Sequence, residues 1–352
     1  MRDLYLLDPE WTHLNHGSFG ACPEPVFREY QRLQLELERN PTEFFRGVPE
    51  RLTEARGELA AFVGADPAGL IFVPNVTAAI NIVARSLGLG PGDEVLSTDH
   101  EYGANDVLWR YLAERHGLAY VRRPFESADA FWAGVTARTR VLFVSHIASP
   151  TAVRFPVEEL CARARAAGIV SVVDGAHAPG HVHLDLGQID ADFYTGNCHK
   201  WLSAPKGSGF LYAADAQRER LEPRIVGWGS SDEADFVQRH HGEGTLDPSA
   251  YLSVPAAIRF QREHDWPSVR ERCHALLRDS IGRLGLAPLD PDFVQMAALE
   301  LPPCDPEELS RRLREHRIET PCWDWNGKPL LRISVGAYND EDDLRRLESA
   351  LG

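Results

Sequence analysis

The sequence predicts an α/β fold: a mostly parallel, seven-stranded sheet covered by helices, followed by a smaller α+β unit. Seven short β-branched and apolar runs recur between residues 70 and 213. The segments between them are longer and in part helical, the alternation expected when parallel strands are joined by covering helices. After about residue 245 the pattern changes to long helical stretches with few strand candidates.

In order, the runs are LIFV at 70, DEVLST at 93, AYVRRP at 119, RVLFVSH at 140, IVSVVD at 169, DFYTG at 192 and GFLYA at 209. Each is rich in residues that fill a pleated, buried surface. Gly88, Gly90, Pro91 and Gly92 punctuate the passage into the second run. Pro156 followed by VEELCARARAAG reads as a helix with Pro in its first turn and Gly168 at its end. Beyond residue 245, SVPAAIRFQREH, SVRERCHALLRDSIGRL, EELSRRLREH and DEDDLRRLESAL have helical spacing, and QMAALEL and PLLRIS are strand candidates. These boundaries give a large unit over residues 14–244 and a small one over 245–352, with residues 1–13 packing on the small one.

The chain has 352 residues, enough for a large domain with a deep site. Its 52 acidic against 37 basic side chains give a net charge of −15, which opposes attraction to nucleic acid or anionic lipid. No run approaches the roughly 20 apolar residues of a bilayer span, and MRDLYLLDPEW lacks a basic segment followed by a long apolar one. A cytoplasmic protein with no nucleic-acid or membrane partner is expected. The six cysteines are scattered without zinc spacing, so reduced, mostly buried thiols and no metal site are expected. The adjacent His240 and His241 read as a solvated or subunit-facing pair.

Chemistry concentrates at two successive strand ends. IVSVVD ends on Asp174, and 26 residues later TGNCHKWLSAPKGSGFLY holds Lys200 between two strands. An amine that forms a Schiff base and a carboxylate that keeps a pyridine nitrogen protonated are what pyridoxal phosphate chemistry needs. Alone, Lys200 reads as a surface lysine before a loop; the context reverses that reading. In FVPNVTAAINIVA a strand turns into a helix at Asn75-Val76-Thr77, where free N–H groups and the Thr77 hydroxyl can face a phosphate, or Thr77 can serve only as a cap. Arg332 in PLLRISVGAYND precedes a helix start and can grip a carboxylate with two parallel hydrogen bonds, or form an ion pair.

The run SPTAVRFPVEEL…GIVSVVDGAHAPGH…DADFYTGNCHKWLSAPKGSGFLY, with LNHGSFG, NVTAAINIV, GEGTLDPSAYL and LRISVGAYND, resembles the class V aminotransferases of fold type I, most closely their isopenicillin N epimerase-like branch. The likeness runs from about residue 14 to residue 340. It implies pyridoxal 5'-phosphate on Lys200, with Asp174 at the ring nitrogen and His177 against the phenolic oxygen. It further implies Tyr102 over the ring face, and Val76, Thr77, Asn197 and His199 around the phosphate. Thr245 matches a residue that reaches the neighbouring subunit's phosphate, implying a homodimer. Arg332 would take the carboxylate of a small amino-acid-type substrate, with Asn15, His16, Ser18 and Arg46 as further substrate contacts.

The branch implies an epimerase or racemase acting at an amino-acid Cα. Epimerisation needs a second proton donor opposite Lys200, for which Tyr102 and His16 are the candidates. Alternatives are cysteine desulfuration or cysteine-conjugate C–S cleavage, with Cys322 ten residues before Arg332 as the sulfur acceptor; an aminotransferase; and a non-catalytic dimer that keeps the fold. The intact set Asp174, Lys200 and Arg332 argues against the last.

Overall fold

A computed structural model of the chain describes residues 1–231 and 233–352. The seven apolar runs form β1 (Leu70–Val73), β2 (Glu94–Thr98), β3 (Ala119–Arg123), β4 (Thr139–Ser145), β5 (Val170–Asp174), β6 (Phe193–Asn197) and β7 (Gly209–Ala213). Their spatial order is β1-β7-β6-β5-β4-β2-β3. Neighbours from β6 to β3 are parallel, and only β7 is reversed, antiparallel to both β6 and β1. Every residue of β1, β2 and β6 is buried, as expected for a sheet covered on both faces. The edge strand β3 ends in the exposed Arg122 and Arg123, charges that block pairing with another chain.

The covering helices are α1 (Glu24–Arg39), α2 (Pro41–Val63), α3 (Val76–Ser86), α4 (Gly103–His116) and α5 (Val157–Ala166). Pro156 lies one position before the first turn of α5, at the N-cap. Among the described residues, no helix is long and apolar enough to cross a membrane.

After the large sheet come α6 (Val254–Glu263), α7 (Trp266–Leu284), β8 (Met296–Glu300), α8 (Pro306–Glu315), β9 (Cys322–Trp325), β10 (Lys328–Ser334) and α9 (Glu341–Leu351). The small sheet is antiparallel in the order β9-β10-β8. Strand β9 was not anticipated from CWDW, yet its signal was present. Asn326 and Gly327, with φ of 54° and 81°, form the two-residue turn that joins Trp325 to its partner Lys328. Helix α6 buries Val254, Ala257 and Ile258 and packs on α1 and α2, so the chain crosses back over the large unit before the small sheet begins.

The amino terminus ties the two sheets together. Arg2 bonds Asp343, Thr12–His13 pairs in parallel with Ile318–Glu319, and Asn15 bridges Ser334. Gly20 then passes against the backbone after β6, where a Cβ would lie 2.2 Å from His199 O and 2.6 Å from Lys200 O. With its φ of 66°, only glycine fits there.

His240 and His241 are not a solvated pair. On the short helix Phe236–His241, His240 is buried, while His241 stacks on Phe72 and its Nε2 accepts the Phe72 N–H at 3.0 Å. Phe72 belongs to β1, an edge strand whose outward N–H has no strand partner, and the imidazole supplies the missing acceptor. All six cysteines are free thiols: Cys161, Cys198 and Cys273 are buried, Cys22 and Cys322 half-buried, and Cys304 exposed.

Candidate active site

The carboxyl ends of the parallel strands enclose a cavity of about 320 Å³, the usual ligand position in an open α/β sheet. Five of the strand ends deliver parts of its lining. β1 leads to Asn75, Val76 and Thr77; β2 to Tyr102; β4 to Ser145, Ile147 and Ser149; β5 to Asp174 and His177; β6 to Asn197, His199 and Lys200. The small sheet contributes Arg332 from β10, and the amino-terminal segment Ser18 and Phe19.

Asp174 is buried, with Oδ2 accepting from Asn105 Nδ2 at 2.6 Å and Oδ1 from the Ala176 N–H at 2.9 Å. Burial raises its pKa despite these bonds and the charge of Lys200. Among the described residues no cation forms an ion pair with it. Lys200 Nζ lies 3.0 Å from His177 Nε2. The indole N–H of Trp201 points at His177 Nδ1, 3.3 Å away. With Nδ1 an acceptor, a neutral His177 carries its hydrogen on Nε2 and donates it to an uncharged Lys200 amine. Both groups favour this state: burial holds His177 well below its ordinary range, and burial with the Arg332 charge brings Lys200 down to about 7.

At the start of α3, Asn75 Oδ1 accepts the Ala78 N–H at 2.9 Å and Asn197 Oδ1 accepts the Val76 N–H at 3.0 Å. Val76 therefore lines the cavity with its donor already engaged. The Thr77 N–H and hydroxyl remain for an anion at this helix start. His199 donates Nδ1–H to Ser208 O at 2.8 Å, and burial lowers its pKa to about 4. A bound dianion would oppose that shift.

Arg332 is buried without a carboxylate partner among the described residues. Nη1 donates to Ser149 O at 2.5 Å and Nη2 to Ser18 Oγ at 2.7 Å, while Nε has no partner. The Trp323 ring lies 5.2 Å from the guanidinium. Burial lowers its pKa to about 10, which leaves it charged at neutral pH. Such a cation lacks only an anion.

Four expected site residues do not line the cavity. Asn15 stands behind it, bonding Ser18 Oγ at 2.6 Å and Glu319 at 3.1 Å, so it orients Ser18 and through it Arg332. His16 is packed between Trp201 and Tyr338, and burial lowers its pKa to about 3. Arg46 is exposed on α2 and pairs with Glu43. Thr245 is exposed on the loop after Phe236–His241. Cys322 also lies outside the cavity, and burial raises its thiol to about 11. Asn105, Ser149 and Phe19 were not singled out from the sequence: Asn105 and Ser149 had only their place after a strand end as a signal, and Phe19 only its place in LNHGSFG.

The buried imidazoles make an expected result for the cofactor-free protein. His16, His146, His177 and His181 all have folded-state pKa values below the unfolded value, so their stability is present above pH 6.5 and lost as pH falls. His199 and His241, each lowered to about 4, act in the same sense; Glu101 and Asp174, held high by burial, oppose it but are outnumbered, so unfolding near pH 5 takes up protons on balance. Denaturant unfolding measured from pH 7 to 5 should show stability falling; a flat or rising profile would refute the assignment.

The parts fit pyridoxal 5'-phosphate. A buried carboxylate without a cation suits a pyridinium N–H, an amine near neutrality suits an aldehyde, and the start of α3 suits a phosphate. The chain is 40% identical to isopenicillin N epimerase of Streptomyces clavuligerus, covering 99% of this chain and 96% of that protein. It is 29% identical to a probable chloroplastic L-cysteine desulfhydrase of Arabidopsis thaliana, covering 98% and 83%. A solved structure of a C-DES mutant with glycine covalently linked to the PLP cofactor superimposes with a TM-score of 0.89 at 22% identity, covering 100% of this chain and 98% of that one, and shows the same fold. With residues 26–347 matching the aminotransferase class-V model, the chain belongs to that family and is a pyridoxal 5'-phosphate enzyme of it.

Proposed function

We propose that the chain is an amino-acid epimerase that moves the Cα proton between Lys200 and Tyr102. The observation that carries this reading is the pairing of these two proton carriers across the cavity. Lys200 follows β6 and Tyr102 follows β2, with β5 and β4 between them. Three strand spacings, about 14 Å, separate the strands from which they depart, with Asp174 on the intervening β5. The likeness to isopenicillin N epimerase supports it independently.

When bound, the cofactor supplies an electron-accepting ring that makes the substrate Cα–H acidic. Lys200 is the amine that would hold its aldehyde carbon and, once released, takes or returns the Cα proton; an amine brought near 7 is matched to that task. Asp174, held by Asn105 and the Ala176 N–H, is the carboxylate that would keep the ring nitrogen protonated. His177 offers its Nε2–H at the Lys200 side. Thr77 and His199 would hold the phosphate, with Asn197 fixing the start of α3. Arg332, aligned by Ser149, Ser18 and Asn15, takes the substrate carboxylate. A homodimer completes the reading. Ile225, Val226, Trp228 and Leu246, on the segments before and after the helix Phe236–His241, are exposed apolar side chains that a second copy would cover.

C–S cleavage is the second reading, favoured by the desulfhydrase relative. A persulfide route through Cys322 has no support, because that thiol lies outside the cavity and is held protonated. Incubating amino acids with the holoenzyme in heavy water separates the two. The epimerase predicts Cα exchange with inversion. In Tyr102→Phe, inversion should fall by about 100-fold while exchange with retention persists. Sulfide release from cysteine without inversion of any amino acid would overturn it.

A further inference from the structure

Glu101 takes no part in the chemistry above, yet it is the residue beside Tyr102 and is only 5% exposed. Its carboxyl turns inward beneath the cavity. Oε1 accepts the Thr98 hydroxyl at 2.7 Å and the Ser145 N–H at 3.2 Å, and Oε2 lies 2.6 Å from Ser145 Oγ. Ser145 is the last residue of β4, lines the cavity, and stands in register beside Asp174. Two buried acids thus stand on either side of the β4 end, Glu101 after β2 and Asp174 on β5, with the Ser145 hydroxyl between Glu101 and the cavity.

No Lys, Arg or His forms an ion pair with Glu101 among the described residues. The titratable groups that act on it are Asp174 on β5 and the Tyr120 phenol on β3, which itself bonds Asp106. Neither supplies positive charge. A buried carboxyl in that company keeps its proton, and burial raises it to about 8.

We propose that Glu101 is a positioning residue whose carboxyl proton sets the direction of the Ser145 hydroxyl, and with it the hydrogen-bonding character of the cavity wall beside Asp174. When Glu101 is protonated it donates to Ser145 Oγ, and Ser145 turns its own hydrogen toward the cavity. When Glu101 is ionised, Ser145 donates to it and presents only lone pairs to the cavity. The proton count balances at every step: one proton leaves Glu101 for solvent and the serine hydroxyl rotates. The inference rests on the cofactor assignment and not on the epimerase reading.

Two measurements test it. In cofactor-free protein labelled with carboxyl-¹³C glutamate, one resonance should titrate near pH 8, disappear in Glu101→Gln, and move to higher pH in Ser145→Ala, because the ionised form loses a donor. In the holoenzyme, the visible absorption of the cofactor should change with the same midpoint. Both Glu101→Gln and Ser145→Ala should abolish that change, whereas Glu101→Asp keeps it at a displaced midpoint. Absence of any glutamate titrating above pH 6 would overturn the proposal. So would a holoenzyme spectrum whose pH dependence is the same in wild type and Glu101→Gln, or one that survives in Ser145→Ala.

Discussion

Replacing Lys200 with alanine should lower turnover by about 10,000-fold or more, since it would remove both the proposed covalent attachment and a general base that by itself contributes up to about that factor. Lys200 is the one lysine among the residues lining the cavity. The next in sequence, Lys206, is committed to the Gly20 carbonyl at 2.8 Å. No other amine can take over. The visible band of the holoenzyme should disappear in the variant, and a small added amine should restore part of the turnover. Lys200→Arg should be as inactive as the alanine variant, because a guanidinium does not release its proton at working pH. Retention of more than a hundredth of wild-type turnover would contradict the role.

Arg332→Ala should raise KM for an amino-acid substrate by about 100- to 1,000-fold, the range expected when one partner of a buried, hydrogen-bonded charge pair is truncated. The guanidinium is already desolvated and aligned by Ser149 and Ser18, so the free enzyme has met most of the cost of ordering it. Arg332→Lys should recover little, since an ammonium lacks the planar fork that grips a carboxylate at two points. Ser18→Ala should raise KM by about 5- to 10-fold, the equivalent of one hydrogen bond. The cofactor band should remain in all three variants, which separates lost substrate binding from a collapsed site. A KM within threefold of wild type in Arg332→Ala would remove Arg332 from the substrate site.

The legibility of this protein in its sequence follows a physical division. Strand and helix periodicity is local, so the seven runs from LIFV to GFLYA and the helices after residue 245 could be read along the chain. Asp174 and Lys200 were legible for the same reason: each sits at or just beyond the end of a strand, and parallel strands deliver their ends to one edge. Residues whose position depends on long-range packing were not. His16 shares the LNHGSFG motif with Ser18, yet the four-residue helix His16–Phe19 turns His16 under Trp201 and Ser18 toward Arg332. Arg46 and Arg332 are the same residue type, and only burial separates an exposed ion pair from an unneutralised cation in a cavity.

By itself the sequence determined the order of strands and helices, the presence of an amine and a carboxylate at successive strand ends, and the family pattern. Tertiary structure alone decided that Asn105 holds Asp174, that the Trp201 indole sets the His177 tautomer, that Cys322 stands apart from the cavity, and that Glu101 lies beneath Ser145. The reason is that periodicity and turn chemistry act between neighbours in the chain. Desolvation and hydrogen-bond partners, which fix what a side chain can do, come from residues that meet only after the sheet has closed.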